Sequence, residues 1–309
     1  MNPHRHHPGS GIMKPQHRTH ERSPMSPLLR VAVPNKGSLH TKAVAMLHAA
    51  GYQQRTDSKE LVITDETNGI EFFYLRPRDI TTYVGSGQLD MGITGRDLLS
   101  DSAAPAEEVL ALGFARSTFR FAGHSETARS VHDLEGKTIA TSFPTVVAKH
   151  LTDHGVEAAG IVRLDGAVET ALRLGVADVI ADVVETGATL AHLGLEVIGE
   201  PIMSSEAVIV QGTPEVGSDV SRRFLRRLDG VLTARDYVLL DYDIEVANLD
   251  QAVAISSGKE GPTISPLHRE GWSAVRVMVP TAKTHTIMDQ LEQAGARAIL
   301  VTKIQACRV

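Results

Sequence analysis

Two rhythms of hydrophobic and polar residues alternate along this chain from Leu29 onward. Short β-branched apolar runs, of the kind that fill buried strands, are followed by stretches in which apolar residues return every three or four positions, as on one face of a helix. The first rhythm predicts strands at Leu29–Val33, Leu61–Thr64, Ile70–Leu75, from Leu89 toward Thr94, and at Val109–Phe114, Thr118–Ala122, Lys137–Ser142, Gly160–Leu164, Val179–Val184, Leu195–Pro201 and Ala207–Val210. The second predicts helices at Ser38–Ala50, with Ser38 as N-cap and Gly51 as its stop, from Pro77 to Val84, at Pro144–His154, around Glu169, and at Ser218–Ala234. Strand followed by helix, repeated, predicts an α/β protein with a largely parallel sheet and helices on both faces.

The order of these elements predicts two lobes around a cleft. Residues 28–117 form the first, the strands from Val109 to Ala122 cross into a second at 118–203, and the chain returns so that 204–236 complete the first lobe with a connecting helix. In the last part the pattern changes to strand, helix, strand, strand, helix, strand over 237–309, the split βαβ arrangement of ferredoxin-like modules. Residues 1–27 are rich in Pro, His and Arg with almost nothing apolar to bury, and are expected to be a disordered extension; Met25 is an alternative start. The tail's histidines could bind a metal, but a solvated tail is the simpler reading, and no metal-ligand set is predicted elsewhere.

Composition narrows the partners. With 309 residues and 42% hydrophobic content the chain can bury a large core, and a net charge of -6 argues against a nucleic-acid binder. The run Arg222, Arg223, Arg226 and Arg227 is expected to be a solvated helix face. One cysteine, Cys307, excludes an internal disulfide and is expected to pack in the final strand; its scarcity fits a reducing cytosol. No apolar run reaches the length of a membrane span.

The most informative stretch is Ala177–Leu190. An apolar strand carries one carboxylate, Asp182, near its carboxyl end, and Thr186-Gly187-Ala188-Thr189 then turns into a helix. Two hydroxyls, a permissive glycine and the amides opening a helix make an anion cradle. A carboxylate beside such a cradle suits a ribose diol or a ligand-borne Mg2+. A second strand, Gly-containing turn and helix, Leu29–Leu39, presents Lys36; Arg76 sits at the carboxyl end of another predicted strand, where ligands collect in α/β sheets. Gln88–Gly95 resembles the ligand-binding edge of periplasmic-binding-protein-like lobes.

Glu169, Gly175, Ala177, Ile180, Asp182, Thr186, Gly187, Thr189 and Leu190 stand at the spacing of the signature of ATP phosphoribosyltransferase, the first enzyme of histidine biosynthesis. Leu29-Arg-Val-Ala-Val-Pro-Asn-Lys-Gly-Ser-Leu39 also looks like that family's opening, and the resemblance runs from Leu29 to Val309. It implies a two-lobed periplasmic-binding-protein-like catalytic part followed by an ACT-like regulatory domain, the mark of the family's long form. The implied reaction joins adenine N1 of ATP to the anomeric carbon of phosphoribosyl pyrophosphate and expels pyrophosphate, with Mg2+ on the phosphates. The resemblance assigns Thr186, Gly187, Ala188 and Thr189 to the sugar 5-phosphate and Asp182 and Glu169 to the ribose. Lys36 and Arg76 would meet phosphates or the nucleotide, and Asp97 would lie near adenine. It also implies feedback inhibition by histidine, with Asp243 and the loop from Gly258 to Thr263 as effector groups, a cytoplasmic location, and hexamers built from dimers. Two other readings stay open from the residues: a nucleotide-salvage phosphoribosyltransferase, whose phosphate loop has the same Thr-Gly-x-Thr-Leu, and a non-catalytic two-lobed receptor carrying a ferredoxin-like module.

Overall fold

The computed structural model describes residues 28–184, 188–212 and 219–308. The expected N-terminal extension, Glu185, Thr186 and Gly187 lie outside them, as do the side chains of Ala188 and Thr189. The chain opens with β1 (Leu29–Pro34), α1 (Gly37–Ala49), β2 (Val62–Asp65), β3 (Ile70–Leu75), α2 (Pro77–Gly85), β4 (Met91–Gly95), α3 (Arg96–Ser102) and β5 (Glu107–Ala111). Then come β6 (Ser117–Gly123), β7 (Thr138–Thr141), α4 (Pro144–Asp153), β8 (Gly160–Arg163), α5 (Thr170–Arg173), β9 (Val179–Val184), α6 (Ala188–His192) and β10 (Glu196–Ser205). β11 (Ala207–Gln211) and α7 (Asp219–Asp236) precede β12 (Tyr237–Glu245), α8 (Leu249–Ile255), β13 (Thr263–Pro266), β14 (Trp272–Pro280), α9 (Thr284–Gln293) and β15 (Arg297–Lys303).

These strands form three sheets. The first has the order β2-β3-β1-β4-β11-β5, the second β10-β6-β9-β7-β8, and the third β13-β14-β12-β15. β1 is central, parallel to both β3 and β4, and buried on both faces, which is why Leu29–Pro34 reads as a nearly unbroken apolar run. Alternating burial along β3 turns Ile70, Phe72 and Tyr74 into the core beneath α1 and α7, where full burial of Phe72 contributes about 2 kcal/mol.

The expectation of a largely parallel sheet is corrected, because both large sheets are mixed. β11 is antiparallel to β4 and β5, and β6 is antiparallel to β9 and β10. Parallel neighbours need a crossover helix. β6 and β11 are the strands by which the chain enters each sheet from the other without one, and they run against the parallel strands they meet there.

Three smaller readings change as well. The N-cap of α1 is Lys36, in extended conformation, and Ser38 lies inside the helix; Gly37 (φ +82°) makes the turn one residue earlier than the hydroxyl suggested. Arg223 and Arg227 on α7 are not a solvated face. Their guanidinium groups donate to the Asn68 carbonyl (2.9 Å) and Asn68 Oδ1 (2.7 Å), fastening α7 to the turn between β2 and β3, while Arg222 and Arg226 stay exposed. Cys307 lies past β15, where its N–H donates to the carbonyl of Gly230 on α7 (3.2 Å).

The third sheet is fully antiparallel, with the βαββαβ order expected for a ferredoxin-like module. Leu240, Tyr242, Ile244, Val275 and Val277 on one face pack against Ala252 of α8 and Ile287 and Leu291 of α9. Strand alternation sends Leu239, Asp241 and Asp243 to the other, open face.

Candidate active-site cleft

In both large sheets the parallel strands end together. At the carboxyl ends of β1, β3 and β4 stand Asn35 and Lys36, Arg76, and Arg96 with Asp97; at those of β7, β8 and β9 stand Ser142, Arg163 with Asp165, and Asp182 with the approach to α6. Such edges gather ligand-binding groups because side chains and helix-opening amides converge there. A cavity of about 630 Å3 lies between the two sets, lined by Arg76 and Asp79 from one side and by Ser142, Arg163, Asp165 and Asp182 from the other. Arg76 and Asp182, more than a hundred residues apart in sequence, therefore face one space.

Arg76 is exposed at the N-cap position of α2, where Pro77 occupies the first turn and no side-chain cap is made. It brings a cation to the lining of the cavity. Asp182 is half-buried, and its Oδ1 accepts from the Val183 N–H at 2.8 Å. Burial pushes its carboxyl above the ordinary carboxylate range; the Val183 amide pulls it down, and the negative charges of Glu169 and Asp97 push it up again. A carboxyl held up in this way gains from a cation or a hydroxyl donor arriving with a ligand. Arg163 carries a loose pair with Asp165, 3.7 Å apart and largely exposed, which a phosphate can displace at little cost.

Lys36, Glu169 and Asp97 are not among the residues that line this cavity. Lys36 is exposed in the turn after β1. That turn is fixed by Arg55, whose guanidinium donates to the Asn35 carbonyl (2.7 Å) and lies 4.1 Å from the Tyr74 ring centroid. Glu169 occupies the N-cap position of α5. Asp97 is buried, with its N–H on Ser205 Oγ (3.1 Å) and its Oδ1 taken by the Leu98 N–H (2.9 Å). α6 opens at Ala188, four residues past the end of β9, so the stretch holding Thr186 and Gly187 joins the strand carrying Asp182 to a helix start.

Sequence reasoning missed Arg78, Ser142, Arg163 and Asp165. The last three stand at strand carboxyl ends, the position that singled out Arg76, and that rule would have found them. Arg78 becomes visible only when the two walls meet. Among the described residues no group of three or more His, Cys, Asp or Glu side chains is placed to hold a metal ion, and no helix is long and apolar enough to cross a membrane.

Two mixed α/β sheets presenting cations and a half-buried carboxylate to one cleft define a class of protein suited to an anionic ligand. Comparison with known proteins gives that class a family. The profile of ATP phosphoribosyltransferase matches residues 76–230, and that of the HisG C-terminal domain matches residues 234–306. The ATP phosphoribosyltransferase of Streptomyces avermitilis is 62% identical over 286 residues, covering 91% of this chain and 100% of the relative; that of Salinispora tropica is 58% identical over 282 residues, with the same coverage. The solved ATP phosphoribosyl transferase (HisG:HisZ) complex from Thermotoga maritima superposes with a TM-score of 0.56 at 26% identity, covering 65% of this chain and 97% of that one. The chain belongs to the ATP phosphoribosyltransferase family, enzymes of histidine biosynthesis that transfer a phosphoribosyl group. Membership sets aside both the nucleotide-salvage and the receptor readings.

Proposed function

We propose that this chain condenses ATP with 5-phosphoribosyl 1-pyrophosphate to 1-(5-phosphoribosyl)-ATP and pyrophosphate, the first step of histidine biosynthesis. The observation that carries the reading is the sharing of one cleft by Arg76 and Asp182 at the ends of parallel strands from two sheets. Adenine N1 is a neutral lone pair at pH 7, so no base is needed to create the nucleophile, and among the described residues that line the cleft there is no histidine. What the chemistry demands is alignment of two anions and neutralisation of the departing pyrophosphate.

Asp182 and Glu169 are suited to the ribose hydroxyls, and Thr186, Gly187, Ala188 and Thr189 to the 5-phosphate. Arg76 and Lys36 serve the pyrophosphate and nucleotide phosphates from the other wall. Asp97, buried as it is, acts on the adenine side through its charge and its hold on the start of α3. The acidic groups Asp79, Asp165 and Asp182, which form no three-carboxylate cage among the described residues, fit Mg2+ that is carried mainly by ligand phosphates. When bound, that ion would neutralise charge developing on the leaving pyrophosphate.

The division into residues 28–117 with 204–236, 118–203 and 237–309 is part of the same proposal, supported by the separate core under each sheet. In the third part Thr263 is paired with Arg276 and Asp243 with Ala274, so both effector candidates lie on the open face, on either side of β14. This supports histidine as an inhibitor held there, its amino group on Asp243. A cytoplasmic homo-oligomer belongs to the same proposal and rests on membership of the family. The experiment is direct: purified protein with ATP, phosphoribosyl pyrophosphate and Mg2+, followed by the ultraviolet absorbance of N1-substituted adenine. Product formation that requires all three supports the reaction; no product from folded protein refutes it.

A further inference from the structure

Asp101 is a buried carboxylate whose hydrogen bonds span the gap between the two walls of the cleft. It sits in α3, on the first sheet's side, at 7% exposure. Its Oδ2 accepts from Arg78 Nη1 at 2.9 Å, and its Oδ1 accepts from the N–H groups of Thr145 (2.9 Å) and Val146 (3.4 Å) in the first turn of α4, on the second sheet's side. Arg78 crosses in the same direction. It starts in α2, lines the cleft, donates through Nη2 to the Ser142 carbonyl at 2.8 Å, and holds its guanidinium carbon 5.0 Å from the Phe143 ring centroid.

α4 depends on this arrangement. Its own N-cap, Phe143, makes no side-chain cap, so its opening amides are satisfied from the opposite wall by the charge that best suits a helix start. Sliding or opening one wall against the other would leave the Asp101 carboxylate buried without two amide donors and its arginine. Stranding a buried charge is among the costliest single changes a fold can suffer. Leu98, one turn before Asp101 in α3, packs into the core of the second sheet and resists the same motion.

We propose that Arg78 and Asp101 are positioning residues that lock the two walls at one separation, so that the cleft is preformed and does not close by a hinge around its substrates. This rests on the cleft being the substrate site proposed above. Neither residue needs to touch the reacting atoms. By fixing α2 against α4, the pair sets the spacing between Arg76 and Asp182, and with it the distance across which two anions are aligned.

The test measures the walls and the reaction separately. In a Cys307→Ser background, fluorophores on Lys42→Cys in α1 and Lys149→Cys in α4 report the inter-wall distance by single-molecule energy transfer. The parent should show one narrow distribution, unmoved by phosphoribosyl pyrophosphate with Mg2+. Arg78→Gln and Asp101→Ala should broaden it and lower kcat by roughly ten- to a hundredfold, with smaller changes in either KM. Arg78→Lys, which keeps the charge but not the forked geometry, should recover only part of the rate. A parent distribution that shifts on adding ligand would overturn the lock, as would narrow distributions in both variants. Broadening without loss of rate would overturn the positioning role. Should Asp101→Ala fail to fold, Arg78→Gln, at a partly exposed side chain, decides the question. If the parent itself makes no product, the proposed reaction fails, and the distance measurement still judges the lock.

Discussion

Arg120 on β6 stands directly across from Asp182 on β9, on the same face of the second sheet, yet the two do not form an ion pair. Arg120 Nε donates instead to Thr118 Oγ1 at 3.2 Å, and among the described residues the Asp182 carboxylate receives only its neighbour's amide. Opposite charges at such a position ordinarily stabilise a strand pair. Here stability is forgone and the carboxylate is left available to a ligand.

A stability measurement exposes this trade. The folded-state pKa of Asp182 is raised above its ordinary value of 3.8, chiefly by burial. The folded state therefore binds this proton more tightly than the unfolded state. The associated stability is present in full below the unfolded value and lost as pH rises through the raised folded value. Asp182→Asn removes the desolvated charge and should raise Tm by about 2 °C at neutral pH. The gain should shrink toward zero as pH falls below about 4. The same variant should lose at least about tenfold in kcat/KM for phosphoribosyl pyrophosphate. A gain in Tm that persists in acid would contradict the account.

Arg76 should behave oppositely. It is exposed and contributes no cap to α2, so Arg76→Ala should change folding stability by less than about 0.5 kcal/mol in urea melts. As a fixed cation facing a dissociating pyrophosphate it should cost about a hundredfold in kcat/KM when removed. Unaltered steady-state kinetics would take Arg76 out of the site.

Gly92 lets α2 lie close on β4. A Cβ there would collide with Ile80 Cγ2 and fall 3.2 Å from Ala32 Cβ, both buried. Gly92→Ala should therefore destabilise the protein by about 1–3 kcal/mol through overpacking, read as a lower urea midpoint at unchanged slope. Because α2 carries Arg78 and follows Arg76, kcat should fall as well; a variant as stable and active as the parent would show that α2 shifts freely.

Asp243 and Thr263 test the regulatory proposal without touching the cleft. Asp243→Asn should leave the rate without histidine unchanged and raise the histidine concentration for half-inhibition by at least about tenfold, as expected when a charged hydrogen bond to an ammonium group is lost. Histidine titrations of parent and variant, run side by side, decide it. Equal sensitivity would move the effector site elsewhere.

Much of this protein was determined by the sequence alone. The period of the hydrophobic pattern located β1, β3, β9 and α4 to within a residue or two, because short-range burial and backbone geometry are set by neighbours in the chain. The spacing from Glu169 to Leu190 carried the family, and the strand-end rule found Arg76. Tertiary structure alone decided what depends on contacts between distant segments. The direction of β6 and β11 follows from which strands lack a crossover helix; the use of Arg223 and Arg227 follows from where Asn68 turns. The bonds from Asp101 and Arg78 into Ser142, Thr145 and Val146 join residues more than forty positions apart, and hydrophobic period has no memory over that distance. A carboxylate in α3 looks like any solvated acid until the fold brings an uncapped helix to meet it.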